Sequence, residues 1–188
     1  MRRGIFLDRD GTVCEEVGFL DRPERLRLLP GAAGAIRRIN GSGFLAILVT
    51  NQSGVARGLF DAAALDRVHE RLAEALGAEG AHLDAIYVCP HHPTEGAPPY
   101  RADCDCRKPR PGLLARAARE HGLDLPSSYM IGDKAIDIET ARNAGAAGIL
   151  VLTGYGRQHR ESLAAGTEQP VFVAEDLPRA VEWILERG

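Results

Sequence analysis

No stretch of this sequence is long and apolar enough to cross a bilayer, so no membrane anchor is expected. The N-terminal MRRGIFLDRDG has two arginines and then only a short apolar run before charges resume, which is too little for a signal peptide. An excess of positive charge is also missing: 23 Lys+Arg stand against 26 Asp+Glu, a formal charge of -3. That balance argues against the broad phosphate-neutralising surface a nucleic-acid binder needs. There is no repeat and no low-complexity tract, and 45% hydrophobic with 26% charged residues is an ordinary globular mix. Cysteine is scarce, four in 188 residues, and three of the four crowd into one loop beside histidines. In a reducing compartment such crowding points to metal rather than disulfides. The expectation is a cytoplasmic protein of one domain over residues 1–188, with no nucleic-acid or membrane partner.

What is present is an alternation of short apolar runs with helical patterns. Strands are expected at residues 3–7, 45–50, 85–89, 129–131, 148–152 and 171–173. LAILVT at 45–50 is apolar without alternation, as a strand buried on both faces requires. Helices are expected at 31–40, 61–79, 112–121, 136–144 and 177–187. In the second of these, residues 65, 68, 72 and 76 form an apolar stripe and Asp61 is placed as its cap. This order predicts an α/β protein with a doubly wound, mainly parallel sheet and helices on both faces. Two stretches, 13–30 and 91–111, are irregular and long enough to ask for a function.

The first strand runs into Asp8-Arg9-Asp10-Gly11-Thr12. Carboxylates two residues apart leave a strand end on the same side, at the edge where open α/β sheets bind ligands. Such a pair can hold a hard cation, attack an electrophile or move a proton. Thr50-Asn51 ends the next strand, Arg107-Lys108-Pro109 supplies cations before a helix, and Gly132-Asp133-Lys134 with Asp137 closes another strand. Nucleophile, proton donor, metal site and fixed positive charge are the parts phosphoryl transfer needs.

DRDGT, TN, the Lys of RKP and GDKAID occur in that order, and through them the chain resembles the haloacid dehalogenase superfamily of phosphotransferases. The resemblance implies that Asp8 is a nucleophile forming an aspartyl phosphate, and that Asp10 is the general acid and then the base. It implies that Thr50 and Lys108 hold the transferring phosphoryl oxygens. Mg²⁺ is implied on Asp8, Asp133 and the backbone carbonyl of Asp10, where it screens carboxylate from phosphate. Asp137 is expected behind those ligands, or simply as an acidic residue in the first turn of a helix. Large superfamily members carry an inserted cap domain, but neither 13–30 nor 91–106 is long enough to fold as one, so an open pocket is expected.

A second cluster reads Cys89-Pro90-His91-His92-Pro93, then Cys104-Asp105-Cys106. In each half, residues i and i+2 of an extended chain point the same way, so Cys89, His91, Cys104 and Cys106 can converge on one tetrahedron. Four ligands leave no open position, so the loop 89–106 is expected to hold a structural Zn²⁺, with His92 as the alternative ligand. Cys14 is remote and expected to be an ordinary small side chain near the site.

Within the superfamily, TNQSGVARG, CPHHP, CDCRKPRPG and GDKAIDIETARNAG are similar to the branch that removes the 7-phosphate of heptose 1,7-bisphosphates. That branch implies a small sugar bisphosphate as partner and a monomeric enzyme. It places Glu16, Val17, Gly18, Phe19, Thr50, Asn51, Gln52, Ser53, Arg107, Lys108 and Lys134 around the substrate. Histidinol-phosphate phosphatases share the motifs and a zinc loop, and are the alternative; their loop is typically shorter and lacks the PHHP run. Arg107 is assigned to the far phosphate, because adjacent residues on an extended segment point apart.

Overall fold

Arg3–Leu7 forms β1, a strand whose Ile5, Phe6 and Leu7 are all buried, so no polar residue alternates along it. In the computed structural model, which describes residues 2–164 and 169–187, it lies at the centre of a six-stranded, wholly parallel sheet. Its companions are β2 (Phe44–Asn51), β3 (Ala85–Cys89), β4 (Tyr129–Gly132), β5 (Ala147–Val151) and β6 (Phe172–Ala174). They lie in the order β3-β2-β1-β4-β5-β6. The helices are α1 (Ala32–Asn40), α2 (Ala62–Gly77), α3 (Gly112–His121), α4 (Ala135–Ala144), α5 (Gly156–Ala164) and α6 (Leu177–Leu185).

Both sheet faces are covered. Ile5, Leu7, Ala46, Leu48, Ile131, Ile149 and Val151 pack beneath α1, α2 and α6. Phe6, Leu45, Ile47, Val49 and Met130 pack beneath α3 and α4, with a smaller cluster of Ile138, Leu150, Leu152 and Leu163 under α5. Leu65, Val68, Leu72 and Leu76 of α2 are buried as one stripe, each contributing about 1.5–3 kcal/mol. Asp61 caps that helix, accepting the Ala64 amide at 2.7 Å.

Most expected elements are present with ends moved by a few residues: β5 begins at Ala147 and β6 at Phe172, while α2 stops at Gly77 and α6 at Leu185. Helix α5 is a correction, because no helix was expected there. Its sequence, GRQHRESLA, buries little besides Leu163 and so shows no apolar stripe. Gly156 opens it because a Cβ there would lie 1.8 Å from the Val151 carbonyl.

The chain order reverses between β1 and β4, and in an open parallel sheet that point leaves a crevice beyond the strands' carboxyl ends. Asp8 and Asp133 leave the sheet on either side of it. The long connections after β1 and β3 border the crevice. Among the described residues the first holds only a short 3-10 turn, Pro23–Arg25, and the second has no helix, so there is no large cap. No helix is long and apolar enough to cross a membrane.

Candidate active site

Lys108 is buried in the crevice, 3% exposed, and its Nζ lies 2.9 Å from Asp8 Oδ1, 2.6 Å from Asp137 Oδ1 and 3.2 Å from the Val49 carbonyl. A buried ammonium needs such partners, and burial works against its charge, but Asp137 and Asp8 together hold its pKa above the ordinary lysine value. Burial also opposes ionisation of Asp8, yet Lys108 and Lys134 outweigh it and keep the carboxyl below its usual range. The pair is therefore a carboxylate held ready by a fixed cation. Asn51 fixes the backbone that carries the lysine: its Oδ1 accepts from the Lys108 amide at 3.0 Å and its Nδ2 donates to the Lys108 carbonyl at 3.1 Å.

Asp133 is fully buried, and burial pushes its pKa up to about 7, with Lys134 opposing and Asp8 and Asp137 adding to the rise. Its Oδ2 accepts the Tyr155 amide at 2.9 Å, while its Oδ1 has no hydrogen-bond partner and faces Lys134 Nζ at 3.5 Å. Glycines let the backbone close around it: a Cβ on Gly11 (φ 83°) would lie 2.2 Å from Oδ2, and one on Gly154 2.3 Å. Oxygens of Asp8, Asp133 and Asp137 lie within 4.8 Å of one another. Asp137 is already committed, to Lys108 through Oδ1 and to the Lys134 amide at 3.1 Å through Oδ2. An orphaned buried carboxylate oxygen beside a second carboxylate fits a hard divalent cation on Asp8 and Asp133, with Asp137 holding the lysine instead.

Asp10 lies beside this cluster in a different setting. The Arg9 guanidinium grips it through Nε to Oδ1 at 3.0 Å and Nη2 to Oδ2 at 2.9 Å. Gln52 Nε2 adds a bond to Oδ2 at 2.8 Å and also donates to Thr50 Oγ1 at 2.9 Å. Oδ1 thus accepts once and Oδ2 twice, which leaves Oδ1 the oxygen with more room for a proton.

The rim brings other expected residues together. Lys134 Nζ lies 2.9 Å from Glu16 Oε2 and 5.2 Å from the centre of the Tyr155 ring. Glu16 Oε1 accepts the Gly18 amide, while Arg25 donates to the carbonyls of Val17 and Phe19. Phe19 is 40% exposed at the mouth. Ser53 lies on the turn after β2, where its carbonyl accepts from the Arg57 amide. Arg107 donates to the His91 carbonyl at 3.1 Å rather than pairing with an acid.

The second cluster is gathered as its spacing suggests. Cys89 Sγ lies 3.6 Å from Cys104 Sγ and 3.8 Å from His91 Nδ1, and Cys106 Sγ lies 3.3 Å from both Cys104 Sγ and His91 Nδ1. A disulfide would hold sulfurs at about 2.05 Å, whereas Zn–S bonds of about 2.3 Å give a tetrahedron with edges near ~3.8 Å. The four cysteines are free thiols, and the donor set fits zinc. His92 is turned elsewhere: its Nδ1 accepts the Glu95 amide at 3.0 Å and its Nε2 faces Arg57 at 3.2 Å. Cys14 is buried away from this cluster, and burial pushes its thiol up to about 12.

Several residues here were not singled out from sequence: Arg9, Tyr155 and Gly154. Arg9 lies inside the first motif, so its position was visible although its partner was not.

The chain resembles known proteins over nearly its whole length. Residues 105–180 match the HAD-hydrolase-like family model. The D-glycero-D-manno-heptose-1,7-bisphosphate 7-phosphatase of Thermosynechococcus vestitus is 48% identical over 187 residues, covering 97% of this chain and 95% of that one. The D-glycero-beta-D-manno-heptose-1,7-bisphosphate 7-phosphatase of Bordetella bronchiseptica is 40% identical over 186 residues, 98% of each chain. The crystal structure of D,D-heptose 1,7-bisphosphate phosphatase from B. bronchiseptica, complexed with magnesium and phosphate, matches with a TM-score of 0.87. It is 39% identical and covers 99% of both chains.

Proposed function

The chain belongs to the family of D-glycero-D-manno-heptose-1,7-bisphosphate 7-phosphatases, which are HAD-like hydrolases, and on that premise we propose that it removes the 7-phosphate through an aspartyl phosphate on Asp8. The observation that carries the reading is the Asp8–Lys108–Asp137 chain beside the orphaned oxygen of Asp133. Asp8 attacks phosphorus as the bond to the C7 oxygen breaks, and Asp10 gives that oxygen its proton. In the second half, Asp10 takes a proton from water, the water oxygen attacks the same phosphorus, and inorganic phosphate leaves with Asp8 restored. Thr50 and Lys108 hold the transferring oxygens, and Lys108 offsets the charge that builds on them. Asp8, Asp133 and the Asp10 carbonyl are the residues to hold Mg²⁺. When bound, it would screen the carboxylate from the phosphate dianion and polarise the phosphoryl group.

Cys89, His91, Cys104 and Cys106 are assigned to a structural Zn²⁺. The ligand Cys106 precedes Arg107 and Lys108, so an ordered loop here fixes the direction of both cations. Glu16, Val17, Gly18, Phe19, Asn51, Gln52, Ser53, Arg107 and Lys134 form the surrounding wall in this reading. One N–H of Arg107 goes to the His91 carbonyl, and the remaining donors of its guanidinium suit the far phosphate. A monomer acting in the cytoplasm completes the proposal.

Rates on both anomers of the heptose bisphosphate and on histidinol phosphate test it. Catalytic efficiency should favour a heptose bisphosphate by about 100-fold or more, the value of two or three directed contacts. Arg107→Ala should remove roughly 10–100-fold on the bisphosphate and much less on p-nitrophenyl phosphate. Preference for histidinol phosphate would overturn the substrate assignment.

A further inference from the structure

Arg9 is fully buried, and a buried guanidinium needs an acceptor for more than one side of its fork. Nε and Nη2 are met by Asp10. Nη1 is met by His69 Nε2 at 3.2 Å, from a residue 60 positions away in sequence. His69 is the only buried polar side chain among residues 62–77, on a helix that otherwise buries Ala64, Leu65, Val68, Leu72 and Leu76. The direction of the contact follows from chemistry. Guanidinium has only donors, so His69 Nε2 accepts, and the imidazole is neutral with its proton on Nδ1. Burial and the Arg9 charge favour the same neutral form, pushing the pKa down to about 4.

We infer that His69 is a positioning residue for the general acid: it holds the Arg9 fork square to Asp10, so that Asp10 keeps the one rotamer from which Oδ1 can hand its proton to the leaving oxygen. The inference rests on the reading of Asp10 as that acid. His69 touches neither substrate nor reacting atoms and acts only through Arg9. Gln52 restrains Asp10 Oδ2 from the other side, so the carboxyl is held between two fixed donors. Taking the acceptor from Nη1 leaves a buried N–H unmet and frees the fork to turn toward another partner.

The experiment compares two leaving groups in the full-length protein. p-Nitrophenolate departs without a proton, whereas a sugar alkoxide does not. His69→Leu should slow phosphoenzyme formation from the heptose bisphosphate by about 10–100-fold, with KM near its starting value, and leave the burst of p-nitrophenolate from p-nitrophenyl phosphate within roughly threefold. The later hydrolysis step, in which Asp10 is the base, is common to both substrates. His69→Gln places an amide oxygen close to the position of Nε2 and should restore most of that loss. If His69→Leu does not fold, His69→Asn, one methylene too short to reach Arg9, takes its place. Asp10→Asn serves as the reference: it should show the same selectivity for leaving group more strongly. If Asp10→Asn slows phosphoenzyme formation from both substrates alike, the reading of Asp10 fails and this inference with it. If Asp10→Asn discriminates while the His69 variants lose nothing, lose equally on both substrates, or gain nothing from Gln, the role of His69 alone is overturned.

Discussion

Two groups of metal-ligand side chains lie at the carboxyl edge of the same sheet, and they are built on opposite plans. Around Asp8 and Asp133 the donors are carboxylates, all buried, drawn from two segments far apart in sequence, with one oxygen lacking a partner and a lysine wedged among them. Around Cys89 the donors are three thiols and an imidazole from one loop, and the four atoms already define a closed tetrahedron. The first arrangement keeps charge unbalanced and an oxygen unsatisfied, which is costly for a fold and useful for binding an ion and a phosphate. The second has no open position, which suits a structural tie. A few residues of chain, from Cys104 to Lys108, carry both.

The largest effect that sharpens this contrast is Asp8→Asn. Shape is preserved while the nucleophile is lost, so turnover should fall by at least roughly 10⁴-fold with little change in thermal unfolding. Near-normal rates would break the assignment of chemistry to the carboxylate side. Cys104→Ser should do the reverse in kind. A loss of about 3 kcal/mol of folding energy lowers Tm by roughly 6–12 °C in a chain of this size, with one Zn fewer per chain by elemental analysis. Activity should fall with it, because Arg107 and Lys108 follow the loop. A Cys104→Ser protein that keeps its Tm but loses catalysis would put the sulfur cluster in the chemistry.

The smallest effect concerns the buried His69 behind Asp10. Its folded pKa, about 4, lies below the ordinary value of 6.5, so the unfolded chain takes up the proton first as pH falls. The stability that depends on the neutral ring is therefore complete above pH 6.5 and is lost between about 6.5 and 4, by roughly 3 kcal/mol. Denaturant midpoints of the wild type and of His69→Gln across that window should converge as the pH falls. Parallel curves would mean that the ring is already charged, or already solvated, in the native protein.

How much of this was legible in sequence follows the distance over which each contact is made. Asp8 with Asp10, and the two halves of the cysteine loop, are close in sequence and belong to extended segments, so the period of two shows which residues share a side. The central strands read as unbroken apolar runs because both of their faces are covered. Contacts made by the fold did not read. Arg9 finds His69 across 60 positions, Asn51 finds Lys108 across 57, and Gly154 closes over Asp133 only because β4 and β5 are neighbours. Helix α5 escaped because it is largely polar, and periodicity sees only apolar stripes.

One measurement separates the two clusters most directly: passage of the protein through EDTA, followed by metal analysis and assay. Oxygen-held Mg²⁺ exchanges readily and four-coordinate zinc does not. The predicted result is loss of activity with one Zn per chain retained, and full recovery on adding Mg²⁺ alone. Recovery that requires Zn²⁺, or activity that survives complete removal of Mg²⁺, would contradict the division of labour between the carboxylates and the thiols.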